Sequence, residues 1–384
     1  MEKIYLDNAA TTKIDEEVFD AMLPYLKDYF GNASSIHSYG KTAKVMLEDA
    51  RDVLAEFTGV SSKEIVFTNS GTESNNHAIK GTAFRHIGTE KNHIISSTVE
   101  HSAVLDTLKY LEERFNFDVT YIKPDRFGRI GTEEVLESIR PETFLISIMH
   151  SNNETGAITD IKSLTESILE KDIYVHSDTV QSLGKTDLNF KDININFATI
   201  SAHKIYGPKG IAVLYIKDKT IVDKFIHGGK QERDLRGGTE NIAAIAGFKK
   251  AIEILKRRMT EDVLHYTELK NILTSGLNEN FDKGIIYNSD TENCLQNIVN
   301  ISFGKKFLEY DEEMLLIKLD LKGIAVSGGS ACTAGTLKPS YVLKELGHDE
   351  RTALGSIRIS FGRSNTLNEI EKLLEVLKEN VKKK

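Results

Sequence analysis

The sequence predicts an α/β protein that contains a large, mostly parallel β-sheet, followed by a smaller α+β region. Apolar, strand-like runs alternate with helical patterns from residue 64 to residue 217. Such alternation is typical of parallel strands whose crossover helices cover both faces of one sheet. The predicted strands of this large sheet are 64–68, 93–97, 118–123, 143–149, 173–177, 197–202 and 211–217.

Helical patterns precede and separate these strands. A short extended arm covers residues 1–12, and a helix that opens near Thr72 has Ser70 or Thr72 available as its N-terminal cap. The other predicted helices of this region are 15–28, 36–57, 103–115, 132–139 and 161–170.

The second region begins along a long helical pattern at about 240–278. We expect a large α/β domain over 13–258, and a small α+β domain formed by 1–12 together with 259–384. The elements predicted in the small domain are strands 298–303, 324–326 and 356–361 and helices 310–321 and 366–381.

Composition narrows the class of protein. The 384 residues carry a formal net charge of −8, which argues against a grip on nucleic acid driven by global charge. No apolar run approaches the length of a membrane span, and the first residues lack an apolar signal segment. The two cysteines, Cys294 and Cys332, are too few for a disulfide framework, so we expect a cytoplasmic protein.

Open α/β sheets bind ligands at the carboxyl ends of their strands, so the residues after each strand are the candidates for chemistry. Ser70-Gly71-Thr72 opens a helix and offers backbone N–H groups to an anion. Glu100-His101 follows the next strand, and its imidazole suits both stacking on a ring and proton transfer. The segment 150–156 contains Asn153, whose amide suits a phenolic oxygen or a carboxylate.

Two further strand ends carry an acid and an amine. Asp178, with Gln181 one turn later, requires a positive partner if it is buried, and a protonated pyridine nitrogen is such a partner. Ser201 and His203 offer donors to a phosphate, and Lys204 suits a Schiff base with an aldehyde cofactor.

Each of these strand-end features, taken singly, has an ordinary structural explanation, such as a capped helix or a polar turn. In this chain order, however, they describe a pocket for pyridoxal 5′-phosphate. A metal site is the alternative use of the histidines, and it is not favoured because no H-x-x-x-H or C-x-x-C spacing occurs.

A second reactive group lies in the glycine-containing stretch 327–336. Cys332 stands there among glycine, serine and threonine, which favours a reactive thiol over a buried structural one. Cys294 precedes a strand, and a structural role is the better interpretation for it. Arg358 lies inside an alternating strand, where its guanidinium suits a bidentate contact with an α-carboxylate.

The chain resembles cysteine desulfurases of the NifS and IscS type, in the group with the longer cysteine loop. The resemblance covers nearly the whole chain, and the ordered set of motifs is specific although no single one is. The motifs are 6–12 (LDNAATT), 31–37 (GNASSIH), 72–74 (TES), 100–101 (EH), 152–154 (NNE), Asp178 with Gln181, 203–209 (HKIYGPK), 236–239 (RGGT) and 330–333 (SACT).

The resemblance implies the fold of type I pyridoxal-phosphate enzymes, a homodimer, and conversion of L-cysteine to L-alanine with sulfur passed to Cys332 as a persulfide. It further implies that Lys204 forms the Schiff base, that His101 stacks on the cofactor ring and moves protons, and that Asn153 and Arg358 receive the substrate carboxylate. The remaining cofactor contacts that it implies come from Gly71, Thr72, Asn153, Asp178, Gln181, Ser201 and His203, with Thr239 reaching the phosphate from the partner subunit.

Sulfur would then pass from the persulfide to an acceptor protein for iron–sulfur cluster assembly or tRNA thiolation. The alternatives are a selenocysteine lyase, another pyridoxal-phosphate lyase or aminotransferase, and a sulfur-relay protein without enzymatic activity. The loop cysteine Cys332 weighs against an aminotransferase, and the intact lysine pocket weighs against a relay protein.

Overall fold

The structure is a computed structural model that describes residues 3–328 and 338–384. Its largest sheet has seven strands in the order β2-β8-β7-β6-β5-β3-β4. The strands of this sheet are β2 (Ile65–Thr68), β3 (His93–Ser97), β4 (Asp118–Ile122), β5 (Thr143–Ser147), β6 (Tyr174–Asp178), β7 (Phe197–Ser201) and β8 (Ala212–Ile216). All seven strands predicted for the large region are confirmed, with ends shifted by at most two residues.

Strand direction brings the candidate residues to one edge of this sheet. β4, β3, β5, β6 and β7 pair in parallel, whereas β8 is antiparallel to both of its neighbours. β2 therefore runs in the same direction as β7, and Thr68 and Ser201 both pair with Ala212. The carboxyl ends of β2, β3, β5, β6 and β7 consequently open on the same side of the molecule.

Helices cover this sheet, and two of them begin at candidate site residues. The Ser70 hydroxyl accepts the Glu73 N–H at 3.1 Å at the start of α3, and His101 Nδ1 accepts the Ala103 N–H at 3.1 Å at the start of α4. The helices of this region are α1 (Glu16–Lys27), α2 (Ser38–Thr58), α3 (Gly71–Ala83), α4 (Ser102–Phe115), α5 (Thr132–Glu137), α6 (Ile161–Ser167) and α7 (Phe190–Ile193).

The long helix α8 (Ile242–Phe281) connects two hydrophobic cores. Its residues up to Leu255 pack in the core of the large sheet, and those from Tyr266 onward pack in a second core. The second core includes a three-stranded antiparallel sheet of β9 (Ile285–Tyr287), β10 (Ile298–Phe303) and β13 (Ile357–Ser360). The domain boundary near residue 258 stays a prediction.

The remaining elements surround the second sheet. They are β11 (Leu308–Glu309), α9 (Leu315–Leu321), β12 (Ile324–Ala325), α10 (Tyr341–Glu345), α11 (Glu350–Leu354), α12 (Leu367–Asn380) and β14 (Lys382–Lys383). The helix predicted to begin at residue 310 begins later, at Leu315. Asp311 explains the difference, because its carboxylate accepts the Met314 N–H at 3.1 Å and forms a local turn that competes with the helix.

The N-terminal arm joins the two regions. β1 (Ile4–Tyr5) pairs in parallel with β12, and Asp7 forms a bridge with Ser360 at the end of β13. The arm then continues to the carboxyl edge of the large sheet, where Thr12 N–H donates to the His203 carbonyl at 2.9 Å. Residues 7–12, which we call the arm segment, therefore lie between the second sheet and the candidate site.

Candidate active site

Asp178 is the last residue of β6, and its carboxylate is buried and hydrogen-bonded. It is 8% exposed, and its Oδ2 accepts the Asn75 side-chain N–H at 2.7 Å while its Oδ1 accepts the Val180 N–H at 3.0 Å. Sequence reasoning missed Asn75. The signal was available, because Asn75 follows Gly71 by four residues and such residues share one face of a helix.

Lys204 lies in a 3₁₀ turn, Ala202–Lys204, directly after β7. Its amine Nζ donates to the carbonyl oxygens of Ala9 at 2.6 Å and Ala10 at 2.9 Å. Gln181 shares one of these acceptors, since its Nε2 donates to the Ala9 carbonyl at 2.9 Å. The arm segment thus contacts two of the predicted site residues at a single carbonyl.

The arm segment also fixes His203. The His203 ring Nδ1 lies 3.1 Å from the Thr11 hydroxyl, and Thr12 Oγ1 donates to the His203 carbonyl at 2.9 Å. Burial, followed by the positive charge of Lys204, lowers the pKa of His203 to about 4. The protein surroundings of His203 therefore favour the neutral imidazole.

An anion cradle is formed by the first turn of α3 and the end of β7. A Cβ placed on Gly71 would lie 3.2 Å from Val180 Cγ2 and 3.9 Å from Ser201 Cβ, so this glycine faces both neighbouring strand ends. Thr72 is exposed in the same helical turn, and Ser201 is 5% exposed. The N-terminal N–H groups of α3 and these hydroxyls provide donors suited to a phosphate.

His101 and Glu100 follow β3. Because His101 Nδ1 accepts a backbone N–H, the neutral ring carries its proton on Nε2. Glu100 is fully buried, and its Oε1 accepts the Ser97 hydroxyl at 2.7 Å and the Met149 N–H at 2.9 Å. Burial, with a smaller effect of the same sign from Asp178, raises the pKa of Glu100 to about 8. Sequence reasoning gave this buried acid no separate role.

Arg358 lies in the middle of β13 and is 3% exposed. Its Nη1 donates to the Asn153 carbonyl at 2.9 Å, and its Nη2 donates to the Asp7 carboxylate at 2.8 Å. Arg358 Nε and Asn153 Oδ1 are buried without a hydrogen-bond partner among residues 3–328 and 338–384. The structure therefore brings Asn153 and Arg358 together, although they are far apart in sequence, and it adds Asp7, which sequence reasoning did not single out.

Within the described residues, Thr239 makes no hydrogen bond to this group. Thr239 is exposed on the loop after Arg236, and Arg236 forms an ion pair with Glu73 in the first turn of α3 at 2.9 Å. Cys332 lies outside the described residues. Across the part of the chain that the structure describes, no group of three or more His, Cys, Asp or Glu residues is arranged to hold a metal ion.

The family model for class-V aminotransferases matches residues 4–373, and the chain belongs to that family. A cysteine desulfurase IscS from Dictyoglomus turgidum is 42% identical over 381 residues, which cover 99% of this chain and 95% of the relative. Within the family, the chain is a cysteine desulfurase and depends on pyridoxal 5′-phosphate.

Solved structures agree with this assignment. A NifS-like protein superposes with a TM-score of 0.91 at 35% identity, covering 98% of this chain and 99% of the other. A structure described as SspA in complex with cysteine has a TM-score of 0.81 at 37% identity, covering 94% and 99%. The predicted fold, the type I pyridoxal-phosphate fold, is thereby confirmed. None of the helices described here combines the length and apolar character needed to cross a membrane.

The residues at the sheet edge fit this cofactor. Asp178 is a buried acid suited to a pyridinium nitrogen, and Gln181 Oε1 is buried without a partner among the described residues. Lys204 follows the adjacent strand, β7. Thr68 at the end of β2 and Ser201 at the end of β7 pair with the same residue of β8, so the cradle around Gly71 lies at the same sheet edge as Lys204. One acid, one amide, one amine and one anion cradle therefore meet at a single edge.

Proposed function

We propose that this chain converts L-cysteine to L-alanine at the site around Lys204 and passes the sulfur to Cys332. The observation that carries the proposal is the arm segment, which contacts Arg358 through Asp7 and contacts both Gln181 and Lys204 through the Ala9 carbonyl. Arg358, Gln181 and Lys204 are thereby contacted from one short stretch of the arm, through Asp7, Ala9 and Ala10.

The cofactor would be held by the residues at the sheet edge. Asp178 and Gln181 would contact its ring, Gly71, Thr72, Ser201 and His203 would hold its phosphate, and Lys204 would form the Schiff base. When bound, pyridoxal phosphate supplies an electron sink for chemistry at the substrate α-carbon. The exposed position of Thr239 supports a contact with the phosphate site of a partner subunit.

The substrate would be oriented by its carboxylate. Arg358 and Asn153 would receive this group in a desolvated site, where a charge-assisted contact is strong. Lys204 would move the α-proton from the strand end beside it. His101, whose neutral ring carries its proton on Nε2, would stack on the cofactor ring and exchange a proton with the reacting groups.

The sulfur step uses the thiolate of Cys332 as the nucleophile. An S–S bond forms as the bond between the substrate sulfur and its β-carbon breaks, and the three-carbon product takes up protons to become L-alanine. The sum is L-cysteine plus the Cys332 thiol giving L-alanine plus a persulfide, so no external oxidant is required. A cytoplasmic acceptor protein of iron–sulfur assembly or tRNA thiolation would then take the terminal sulfur.

A homodimer is supported by an exposed apolar surface on the first two helices. Its members, which lie at the end of α1, in the loop after it and in α2, are more than half exposed: Leu26 at 62%, Phe30 at 73%, Ile36 at 91%, Tyr39 at 56% and Val45 at 69%. Two members of this set, Phe30 and Tyr39, contact each other with ring centroids 5.4 Å apart, and contiguous exposed apolar surface marks protein–protein interaction sites. Light scattering of the purified chain measures the state directly, and a monomer would remove this part of the proposal.

The test of the proposed function combines a spectrum with product assays. The holoenzyme should show the visible band of a lysine Schiff base, and L-cysteine should yield L-alanine and a persulfide on Cys332, detected by mass spectrometry. Cys332→Ser should keep the band and lose the persulfide, while Cys294→Ala serves as the matched thiol control. Full persulfide or sulfide formation in Cys332→Ser would refute the role of Cys332.

A further inference from the structure

An acid from the N-terminal arm already occupies the predicted carboxylate receptor. The Arg358 guanidinium is almost fully buried, and the Asp7 carboxylate accepts its Nη2–H at 2.8 Å. The Asp7 side chain is 18% exposed, so this ion pair is only partly screened by water. Any substrate carboxylate that approaches Arg358 therefore meets a positive charge that an internal carboxylate has balanced.

Backbone pairing holds Asp7 in this position. Asp7 forms a parallel bridge with Ser360, which stands two residues after Arg358 on β13. Ser360 N–H donates to the Leu6 carbonyl at 2.8 Å, and Asn8 N–H donates to the Ser360 carbonyl at 3.3 Å. A substitution that changes only the Asp7 side chain should consequently leave the arm in place.

We propose that Asp7 sets the affinity of the site for the substrate carboxylate by competing with it for Arg358. The inference rests on the proposed role of Arg358. The binding free energy that a ligand obtains from Arg358 is only the difference between the free energy of its own contact and that of the contact Asp7 already makes. Asp7 thereby weakens the binding of every α-carboxylate, including that of the product L-alanine, and favours its release.

The opposite role for Asp7 predicts the opposite sign. If Asp7 served to orient Arg358, its neutralisation would free the guanidinium to move, and carboxylates would bind more weakly. If Asp7 competes, Asp7→Asn keeps an oxygen that accepts the Arg358 N–H but removes the rival charge. Carboxylates should then bind more tightly.

The experiment measures ligand binding to the holoenzyme through its visible absorbance. L-Alanine is the carboxylate ligand, and ethylamine is the same molecule without its carboxyl group. Asp7→Asn should lower the dissociation constant of L-alanine by about tenfold, equivalent to about 1.4 kcal/mol, and leave that of ethylamine unchanged. Asp106→Asn, at an exposed position of α4, makes the same change in net charge and should alter neither constant.

Thermal unfolding provides a second readout. Without ligand, Asp7→Asn should unfold at a lower temperature than wild type, because a buried guanidinium has lost its charged partner. L-Alanine should then raise the unfolding temperature more in the variant than in wild type. Asp7→Ser, which keeps a small hydroxyl acceptor, repeats the test if Asp7→Asn does not fold.

The outcomes distinguish the role of Asp7 from the role of Arg358. If Asp7→Asn binds L-alanine with unchanged or lower affinity, the proposed role of Asp7 is wrong. If Arg358→Met also binds L-alanine more weakly than wild type, the proposed carboxylate receptor is retained. L-Alanine binding to Arg358→Met that equals wild type overturns the receptor itself. Equal tightening of ethylamine in Asp7→Asn would show that the effect is not directed at the carboxylate, and it also refutes the inference.

Discussion

The amine of Lys204 donates to the carbonyl oxygen of Ala9 at 2.6 Å, across a sequence separation of 195 residues. The two residues meet because the arm segment crosses the carboxyl edge of the large sheet after pairing with β13. A backbone carbonyl satisfies a half-buried amine without adding a second charge to the site. The arm is therefore part of the pocket wall, and the strand ends alone do not complete the site.

Lys204→Ala should abolish the visible Schiff-base band and the production of L-alanine from L-cysteine. The reason is that the amine after β7 is the group that would bond to the cofactor aldehyde. Absorbance spectra of the variant reconstituted with pyridoxal phosphate check the prediction. Lys209→Ala, at an exposed lysine five residues later, is the control and should keep the band. An unaltered band in Lys204→Ala would show that another amine holds the cofactor.

The strand ends could be predicted from sequence because each lies beside an apolar run that is easily recognised. Asp178 is the last residue of β6, and Lys204 is the last residue of the short turn after β7, so the alternation of strands and helices was enough to place them. The contacts of Asp7 and Ala9 could not be predicted in the same way. They depend on how the arm pairs with Ser360, and long-range pairing leaves no periodic signal in the local sequence.

The residues at which helices begin are also difficult to predict from sequence, although the contacts that determine them are short-range. Ser70 was one of two caps considered, and the structure selects it because its hydroxyl accepts the Glu73 N–H. The later start of α9 depends on the bond from Met314 to the Asp311 side chain, which competes with helical hydrogen bonding. Hydrophobic periodicity detects that a helix exists, whereas side-chain bonds of this kind determine where it begins.

Asn75→Leu should loosen the cofactor and destabilise the fold. The substitution removes the 2.7 Å bond to Asp178 Oδ2 and leaves a buried carboxylate with one donor fewer, which costs about 1–3 kcal/mol. Urea denaturation of the apoprotein and titration with pyridoxal phosphate measure the two effects. Asn75→Asp should be worse than Asn75→Leu, because it places a second carboxyl group beside Asp178. Equal cofactor affinity in all three proteins would contradict the role of Asn75.

Glu100→Gln should change how stability depends on pH. Burial raises the pKa of this carboxyl from 4.5 to about 8. Between pH 4.5 and pH 8 the Glu100 carboxyl is therefore protonated in the folded state and ionised in the unfolded state. Stability contributed by the neutral acid is complete below pH 4.5 and is lost as pH rises through 8, at up to about 1.4 kcal/mol per pH unit. Glutamine cannot ionise, so the variant should lose less stability than wild type over this range.

Midpoints of urea denaturation measured from pH 5 to pH 9 check this prediction. Glu154 is a second buried acid, and burial raises its pKa to about 7. It is present in both proteins, so its contribution cancels in the comparison. Curves for wild type and Glu100→Gln that run parallel over the whole range would show that Glu100 does not titrate with a raised pKa in the folded protein.

The buried ion pair between Arg51 and Glu232 should contribute far more than a surface pair. Their side chains are 2% and 1% exposed, and two contacts of 2.8 and 2.9 Å join the guanidinium to the carboxylate. Glu232 also accepts the Phe67 N–H at 2.8 Å, so it ties the strand before the anion cradle to the loop that carries Arg236. Three consecutive residues in this loop, 232–234, have φ between 46° and 67°, a backbone conformation that is unfavourable for residues other than glycine.

Glu232→Ala should therefore cost about 3–5 kcal/mol, because it leaves the Arg51 charge buried without its principal partner. Glu48, 3.4 Å from Arg51 and 51% exposed, is too solvated to replace it. Glu56→Ala is the matched control, since it removes a surface pair with Lys256 whose side chains are 57% and 68% exposed, and it should cost less than about 1 kcal/mol. Urea denaturation of both variants decides the matter. If the two variants lose equally small amounts of unfolding free energy, other contacts hold the strained turn at 232–234. In that case Glu232→Ala should also leave the affinity for pyridoxal phosphate unchanged.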